Sequence, residues 1–534
     1  MRRRPGRGWG RVAGLAGTLI PLGFTAALFV APLVALVVRA LDDADAVSPW
    51  EAWRRTDALH LLGVTVGQAA LSALLAVLVA APIAWLVATV DFPGALLFRV
   101  MVTLPFVLPT VVVGVIFRAL GPGFSGLGGI LAAHVFLNVA VVVRVVSSVW
   151  QQIDPRAVEA ARSLGASPWR AFRDVVLPRL VPAVAAAAAL VFLFCSTSFG
   201  VIVILGDGKV RTLETEIYQQ AVGYFRIPEA VALSFLQIAL VVVALIVSRR
   251  FARGVPAVSD RGGRRRRPRG PGWLPVVVVL LWAALLLLVP IVTLVIRSFR
   301  PGGRWSLNGF RVLDGDGLGD SVLASLWYSV TSALAAMVIA VLIGTLAAVM
   351  MTRRRDVIAR LSGALAVLPL GISAVTLGFG YVVLSTYLPR WFGQSSLLIP
   401  AVQALIAIPV VIGMVAPALA QVPAARREAA AVLGAGPLRV FATVDLPMIR
   451  RSVGAAAGFA FIMAIGEFGA TTFLARPNTT TLPVMIGSLM SRPGADNFAA
   501  AMAASVILVA VSAVVVALIE VASPPGGLIN EGRR

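Results

Sequence analysis

Three residue types are nearly missing from this sequence of 534 residues, which has one cysteine, one lysine and two histidines. The single cysteine, Cys195, cannot form an intrachain disulfide or a cysteine-rich metal cage. A phosphate-binding loop of the form G-x-x-x-x-G-K-[ST] needs a lysine between glycines and a hydroxyl. The lysine, Lys209, is followed by Val210, and Val203 stands where the first glycine belongs. The chain therefore has no such loop with which to bind ATP.

Charged residues are also scarce, at 13% of the chain, whereas about a quarter of the residues of a soluble domain are charged. Hydrophobic residues make up 59%, and the mean hydropathy is +0.93. This composition predicts a membrane protein. No pair of acids, histidine cluster or Ser-His-Asp arrangement supports catalysis, so we predict no catalytic residues, no metal site and no cofactor in this chain.

Long apolar runs are what the sequence has instead. A helix needs roughly 20 apolar residues to cross a hydrocarbon core of about 30 Å. Twelve runs qualify, and the fold class predicted from them is an all-α polytopic membrane protein. The predicted spans are 12–38, 61–87, 100–120, 130–150, 181–205, 230–247, 273–296, 322–351, 357–384, 397–419, 453–474 and 498–519.

The arginines orient these spans, because basic residues in short loops stay on the cytoplasmic side. The net charge of +22 comes from arginine runs at the N-terminus, in 249–269 and in 353–360, while acids gather in 42–57 and 214–229. This pattern predicts that both termini and every even-numbered loop are cytoplasmic. The first apolar run is too long for the hydrophobic region of a signal peptide, about 7 to 15 residues, so we expect a retained first helix.

The sequence contains an internal repeat at an offset of 269 residues, which is 264 further upstream, where Leu104 and Gly114 match Leu368 and Gly378. It defines a first repeat at 1–248, an arginine-rich cytoplasmic linker at 249–270 and a second repeat at 271–534. We interpret the linker as a solvated tether near anionic headgroups rather than as a nucleic-acid site. Because each repeat has six spans, an even number, the repeats are predicted to be parallel. Matching residues are Glu159 and Glu428, Gly165 and Gly434, Pro178 and Pro447, Gly200 and Gly469, and Leu213 and Leu482.

A cytoplasmic loop occurs in both repeats, at about 151–180 and about 421–450. Asp154 is a good N-cap before Pro155, and Gly165 predicts a left-handed helix stop. Ser167 and Pro168 predict a second short helix, which we expect Pro178 to end. In the second repeat Pro423, Gly434, Pro437 and Pro447 predict the same breaks, although Val422 lacks a capping side chain. The small-residue face formed by Ala157, Ala160, Ala161 and Leu164 either packs on the bundle or binds another protein.

The loop motif, E-A-A followed by Gly six residues after the Glu and then by Leu-Pro, resembles the signature loop of membrane subunits in binding-protein-dependent ABC importers. The resemblance covers most of each repeat and implies a type I ABC importer-like fold. It also implies two docking elements for a separate ATPase, which would be formed by Glu159, Ala160, Ala161 and Gly165 and by Glu428, Ala429, Ala430 and Gly434. The partners so implied are two copies of a cytoplasmic ATP-binding subunit, an extracytoplasmic solute-binding protein and membrane lipid, without nucleic acid. The implied location is the bacterial cytoplasmic membrane.

Within this family, the double-length chain is similar to the permeases for thiamine and ferric iron. The stretches 197–200 and 212–219 resemble the thiamine type, whereas 466–470 fits the iron type or a broader set. These residues favour thiamine over ferric iron. An ion-coupled secondary transporter with duplicated six-helix halves is the alternative, but it would need no docking loop.

Polar residues inside predicted spans are costly and are therefore candidates for the translocation pathway. Glu467 is the foremost, and its repeat partner is Ser198; Asn138 is a weaker candidate. Glu467 could attract a cation in transit or could be a buried, hydrogen-bonded carboxylate that pins two helices. His134 is predicted to be a packing residue, and Arg118 could extend to the headgroups.

Overall fold

The fold is that of a computed structural model, which describes residues 17, 19–42, 48–252, 267–311, 313, 321–353, 363, 365–366, 368–389, 393 and 395–522. Within these ranges the regular structure is helical. The first repeat contains α1 (Ala31–Asp42), α2 (Pro49–Arg55), α3 (Ala58–Thr89), α4 (Ala95–Val107), α5 (Thr110–Leu120), α6 (Gly126–Trp150), α7 (Pro155–Ser163), α8 (Pro168–Ala171), α9 (Leu177–Ser196), α10 (Gly200–Leu205), α11 (Leu213–Tyr218) and α12 (Ile227–Ala252). The second contains α13 (Trp273–Ser298), α14 (Asn308–Arg311), α15 (Val322–Arg353), α16 (Ala374–Tyr387), α17 (Leu398–Ala420), α18 (Ala424–Val432), α19 (Pro437–Val440), α20 (Leu446–Ile465), α21 (Gly469–Leu474), α22 (Leu482–Ser491) and α23 (Ala495–Ala522).

Ten helices in the described ranges are long and apolar enough to cross a membrane, and ten of the twelve predicted spans correspond to them. The ninth predicted span, 357–384, lies partly outside the described residues, and its described part includes most of α16. The N-terminal arginines and most of the linker at 249–270 also lie outside them. At the described end of the linker, Arg267 pairs with Asp91 at 3.1 Å, so it contacts a loop that was predicted to be cytoplasmic as well.

The third predicted span, 100–120, corresponds to a bent pair of helices. Helices α4 and α5 meet at 103°, and counting this bent pair as one span raises the total to eleven. Pro109 explains the bend, because it has no N–H to continue the helix and it forces Leu108 into an extended conformation, with ψ 138°.

The predicted fifth and eleventh spans are each interrupted before their C-terminal ends. α9 ends at Ser196 and α10 begins at Gly200, while α20 ends at Ile465 and α21 begins at Gly469. In the first repeat the Ser196 and Thr197 hydroxyls both donate to Leu193 O, at 2.9 and 3.1 Å. Such local side-chain bonds compete with the helical ladder and favour its end.

The described helices belong to two compact units. One unit comprises Met1–Ala46, Leu323–Val484 and Val514–Pro524. In it α17 packs on α20, and α16 packs on both α1 and α21. The other comprises Val47–Val322, Met485–Ala513 and Pro525–Arg534. In it α3, α6 and α9 pack on one another, and α12 packs on α9 and α11. The predicted linker at 249–270 separates the two sequence repeats rather than these two units, and the predicted repeat boundaries stay a prediction.

The repeat is visible in equivalent contacts inside each unit. The Leu213 N–H donates to Thr65 Oγ1 at 3.0 Å, and the Leu482 N–H donates to Ser329 Oγ at 2.6 Å. Both bonds join the long helix at the second span of a repeat, α3 or α15, to the second helix after the break, α11 or α22. The helix boundaries of α7, α9 and α10 recur at the offset of 269 in α18, α20 and α21. The repeated residues therefore occupy equivalent local structures.

Candidate functional site

The first of the two repeated loops, 151–180, is a helical elbow with the predicted caps. The Asp154 carboxylate accepts the Arg156 N–H at 2.9 Å, and α7 begins at Pro155. Gly165 has φ +90° and ends the helix. Its N–H donates to Arg162 O, and the Ala166 N–H donates to Ala161 O, both at 3.0 Å. This pair of bonds is a Schellman motif, which requires the left-handed residue that glycine supplies without strain.

The second loop has the same elbow. Gly434 has φ +88°, its N–H donates to Ala431 O, and the Ala435 N–H donates to Ala430 O, both at 3.0 Å. One detail of the prediction was wrong: Pro423, rather than Val422, occupies the N-cap of α18, and no side chain caps the helix there. Val422 is buried instead.

The prolines after the elbows do not end the second short helix, contrary to prediction. Residues 168–196 and 437–465 are continuous helical stretches. Each passes through a π-helical turn, Phe172–Val176 or Phe441–Asp445, just before the proline. The wider turn makes an i→i+5 bond, from Leu177 N to Phe172 O in the first repeat, next to the residue that cannot donate.

Both elbows carry exposed side chains. α7 and α18 contain no buried residue. Of the predicted docking residues, Glu159, Ala160, Gly165, Glu428, Ala429 and Gly434 are exposed, while Ala161 and Ala430 are half-buried. Large apolar side chains lie beside them: Leu164 is 88% exposed and Trp169 is 67% exposed, and the repeat partners Leu433 and Leu438 are 88% and 76% exposed. Contiguous exposed apolar patches of this kind mark contact sites for proteins or lipids.

The two elbows are attached to the bundle by different chemistry. In the second repeat the fully buried Asp445 accepts from Arg427 Nε at 2.9 Å and pairs with Arg353, the last residue of α15. Arg427 also donates to Leu419 O at 2.8 Å, at the end of α17. The residues at the equivalent positions of the first repeat are Val158, Val176 and Thr89. There, Phe172 contacts Trp150 and Trp169, with ring centroids 6.0 and 5.6 Å apart.

This ion-pair network was not predicted from the sequence. The repeat alignment carried its signal, because an acid and two arginines replace two valines and a threonine.

A buried polar chain surrounds the helix break of the first repeat. His134 contacts the Ser198 hydroxyl through Nε2 at 2.8 Å and the Ser72 hydroxyl through Nδ1 at 3.0 Å. Asn138 donates to His134 O at 2.9 Å and to Cys195 Sγ at 3.5 Å. These five side chains are all buried. His134 thus packs between two serine hydroxyls, and Ser198 and Asn138 belong to the same chain of contacts. Their role in the translocation pathway stays a prediction.

Glutamine side chains cap the open end of α9. Gln68 donates to Cys195 O at 2.8 Å, and Gln237 donates to Ser196 O at 3.2 Å and to the Glu214 carboxylate at 2.7 Å. They satisfy carbonyls that a helix end leaves without intrahelical partners.

At the break of the second repeat, Glu467 binds the start of the helix after the break, whereas the glutamines of the first repeat bind the end of the helix before it. Its Oε1 accepts the Ala470 N–H at 2.8 Å, and its Oε2 accepts the Thr471 N–H at 2.9 Å. Both atoms belong to the first turn of α21, where free N–H groups and the helix dipole favour a carboxylate. Glu467 is buried, with 7% exposure. These are the bonds of a buried, hydrogen-bonded carboxylate, and they join the start of α21 to a residue just past the end of α20. A role of Glu467 in the translocation pathway stays a prediction.

Arg118 does not extend alone from the end of its span, because its guanidinium pairs with Asp207 at 2.5 Å. Among the described residues, no group of three or more His, Cys, Asp or Glu side chains is arranged to hold a metal ion.

Multiple apolar helices and two equivalent exposed elbows are the architecture of one class of protein, the permease subunits of ABC importers. Residues 59–255 and 340–524 each match the family described as binding-protein-dependent transport system inner membrane component. The chain belongs to this family, whose members are transport permeases rather than enzymes.

Three relatives show the extent of the similarity. The thiamine transport system permease protein ThiP of Escherichia coli (strain K12) is 27% identical, over 90% of this chain and 93% of that protein. ThiP of Brucella abortus (strain 2308) is 28% identical, over 79% of this chain and 80% of that protein. The probable sulfate transport system permease protein cysT of Chlorokybus atmophyticus is 30% identical, over 38% of this chain but 78% of that protein. The last relative thus corresponds to part of this double-length chain.

Proposed function

We propose that this permease moves thiamine inward across the bacterial cytoplasmic membrane, with ATP hydrolysed by two copies of a separate subunit and solute delivered by an extracytoplasmic binding protein. The observation that carries the proposal is the pair of exposed elbows. Each presents apolar side chains beside a Schellman turn at the same position of its repeat. Two equivalent elbows match a partner present in two copies. The chain lacks the lysine-containing loop that it would need to bind ATP itself.

The solute is proposed from the relatives. Proteins named as thiamine permeases align with most of this chain and are double-length like it. This similarity supports thiamine over ferric iron. The orientation, with both termini and both elbows cytoplasmic, rests on the distribution of arginine in the sequence.

The three candidate pathway residues act in this proposal through the helix breaks. Glu467 holds the start of α21, and Ser198 and Asn138 belong to the polar chain beside the end of α9. Broken helices in transporters expose backbone groups that bind solute. We therefore assign these residues to positioning the breaks rather than to direct contact with the solute.

Transport by the reconstituted complex tests the proposal. The chain is placed in liposomes with its ATPase and binding protein, and uptake of labelled thiamine and of ferric iron is measured with and without ATP. We expect uptake of thiamine that requires ATP and both partners. Uptake driven by an ion gradient without the ATPase would support the secondary-transporter alternative instead, and uptake of iron alone would overturn the solute.

A further inference from the structure

Phe225 occupies a backbone conformation that suits glycine. Its φ is +55°, in the left-handed region, where a bulky side chain is strained. It follows the π-helical turn Gln219–Gly223, and the Arg226 N–H closes the turn by donating to Gln220 O at 2.8 Å. The repeat partner of Phe225 is Gly494, which has φ +128°. The second repeat therefore has the residue that this position favours, and the first has a phenylalanine in spite of the strain.

Burial does not explain the phenylalanine, because Phe225 is 79% exposed. Its neighbour Tyr224 is 54% exposed, and the Arg226 guanidinium lies 5.6 Å from the Tyr224 ring centroid. Strained residues persist where the surrounding structure uses them, and such positions are concentrated at functional sites. An exposed aromatic side chain next to an arginine has the composition of a protein-binding hot spot.

A charged cleft adjoins these residues. It has a volume of about 430 Å³, and its lining includes Arg55, Asp57, Arg211, Tyr224 and Arg226. Two of the arginines form ion pairs with buried acids: Arg55 is 3.7 Å from Glu229, and Arg211 is 3.6 Å from Glu216. A partner approaching the surface thus meets three exposed guanidinium groups and two exposed carboxylates, Asp57 and Glu51, of which Glu51 already pairs with Arg55 at 2.7 Å. The exposed guanidinium groups of Arg211 and Arg226 can accept acidic side chains of a partner.

The cleft lies at the end of its unit opposite to the first elbow. In the shared core of α9 and α12, Leu193 packs with Val241 and Ala244. At 1.5 Å per residue, the elbow end of α9 is about 24 Å from Leu193, and the start of α12 at Ile227 is about 21 Å beyond it in the other direction. Trp53 donates to Ala232 O at 3.0 Å and places α2, with Arg55, beside that start. An ATPase on the elbows and a partner on this surface would be on opposite sides of the membrane.

We propose that the surface formed by Tyr224, Phe225, Arg226, Arg55 and Arg211 is where the extracytoplasmic solute-binding protein docks on the first repeat, with Phe225 as the anchor. The inference rests on the proposed function, which supplies that partner. The occupant is a protein with an apolar pocket rimmed by acidic residues. The second repeat has Gly494 and Ala495 at the positions of Phe225 and Arg226, so this anchor belongs to one repeat only.

The test measures association of the binding protein with the permease–ATPase complex in lipid nanodiscs. The probe is the purified binding protein that supports ATP-dependent uptake with the wild-type complex. Phe225→Gly copies the second repeat and removes the strain, so the variant should fold with an unchanged or higher Tm. We expect its association with the binding protein to weaken by about tenfold or more. Arg226→Gln should weaken association by about threefold to tenfold and reduce its dependence on salt.

The matched control is Phe251→Ala, because Phe251 is 47% exposed at the other end of α12. It should leave association unchanged. If the Phe225→Gly complex still imports and binds the binding protein as tightly as the wild-type complex does, this inference is overturned and the proposed function still stands. The same result together with a lower Tm in nanodiscs would assign Phe225 to the lipid interface. Failure of the wild-type complex to import with any binding protein would overturn the proposed function itself.

Discussion

Arg427 donates to Asp445 across 2.9 Å and so ties the second elbow to the helical stretch that follows it. The carboxylate is completely buried, and Arg353 pairs with its other oxygen. Because Arg353 ends α15 and Ser329 near the other end of the same helix accepts from Leu482, one helix connects the second elbow to the start of α22 through charged and hydrogen-bonded contacts.

Neutralising Asp445 should destabilise the protein. Asp445→Asn leaves two guanidinium groups close together without a counter-ion, and losing one partner of a buried pair costs about 3 kcal/mol or more. The side chains of Arg353 and Arg427 are 22% and 25% exposed, so water recovers part of this energy. We expect a loss of about 2 kcal/mol. A lower Tm and reduced stimulation of the ATPase by the permease are the readouts.

A repeat-matched variant controls for the loss of charge. Arg353→Thr, Arg427→Val and Asp445→Val together install the residues of the first repeat, Thr89, Val158 and Val176. Replacing a whole buried ion network with apolar residues is often neutral, so we expect the Tm to return to near the wild-type value. A triple variant less stable than Asp445→Asn would contradict this account.

The elbow glycines should not tolerate alanine. Gly165→Ala and Gly434→Ala each place a Cβ at φ +90° or +88°, which costs about 1 to 2 kcal/mol. We expect the double variant to lose most ATPase stimulation, because both Schellman turns shift. The matched control is Gly454→Ala in α20, where an added Cβ meets no neighbour within 4 Å. Wild-type stimulation by the double variant would show that the turns are not needed.

Local chemistry decided which features could be predicted from the sequence. The elbows were predicted because Asp154, Pro155 and Gly165 determine their caps without help from distant residues. The repeat was predicted because matching residues keep the same offset over long stretches, 264 upstream and 269 from the elbows onward.

The helix breaks were not predicted, because the apolar runs from which the spans were predicted continue across them. The end of α9 depends on Gln68, 127 residues from Cys195, and on Gln237, 41 residues from Ser196. The ion pairs of Asp445 were not predicted either, because Arg353 lies in a different helix and the charges were visible only as a departure from the first repeat.

The exposed leucines of the elbows should be needed for binding the ATPase. Leu164→Asp and Leu433→Asp place charges on side chains that are both 88% exposed, so the Tm should stay unchanged while co-purification of the ATPase falls. The double variant should bind less than either single variant. Leu307→Asp is the control, because Leu307 is 52% exposed on a loop that is predicted to be external. Full ATPase binding by the double variant would exclude the elbows as the docking sites.

Replacing Glu467 should lower the stability of the protein without changing its affinity for the solute. Glu467→Gln keeps one acceptor oxygen and replaces the other with an N–H₂ group facing the first turn of α21. The loss of a helix-capping acceptor costs about 1 kcal/mol, and loss of the charge at the N-terminal end of the helix adds to it. We expect a Tm lowered by a few degrees and a lower maximal uptake rate, with the KM for thiamine unchanged.

The repeat partner of Glu467 supplies the comparison for this last prediction. Ser198→Ala removes the hydroxyl that contacts His134 but leaves the glutamine caps on α9 in place, so the Tm should fall less than in Glu467→Gln. If a carboxylate is needed only to hold the N–H groups of α21, Glu467→Asp should recover part of the lost stability. A raised KM with an unchanged Tm in Glu467→Gln would instead mean that the carboxylate meets the cationic solute, because a cap cannot alter affinity without altering the helix that it holds.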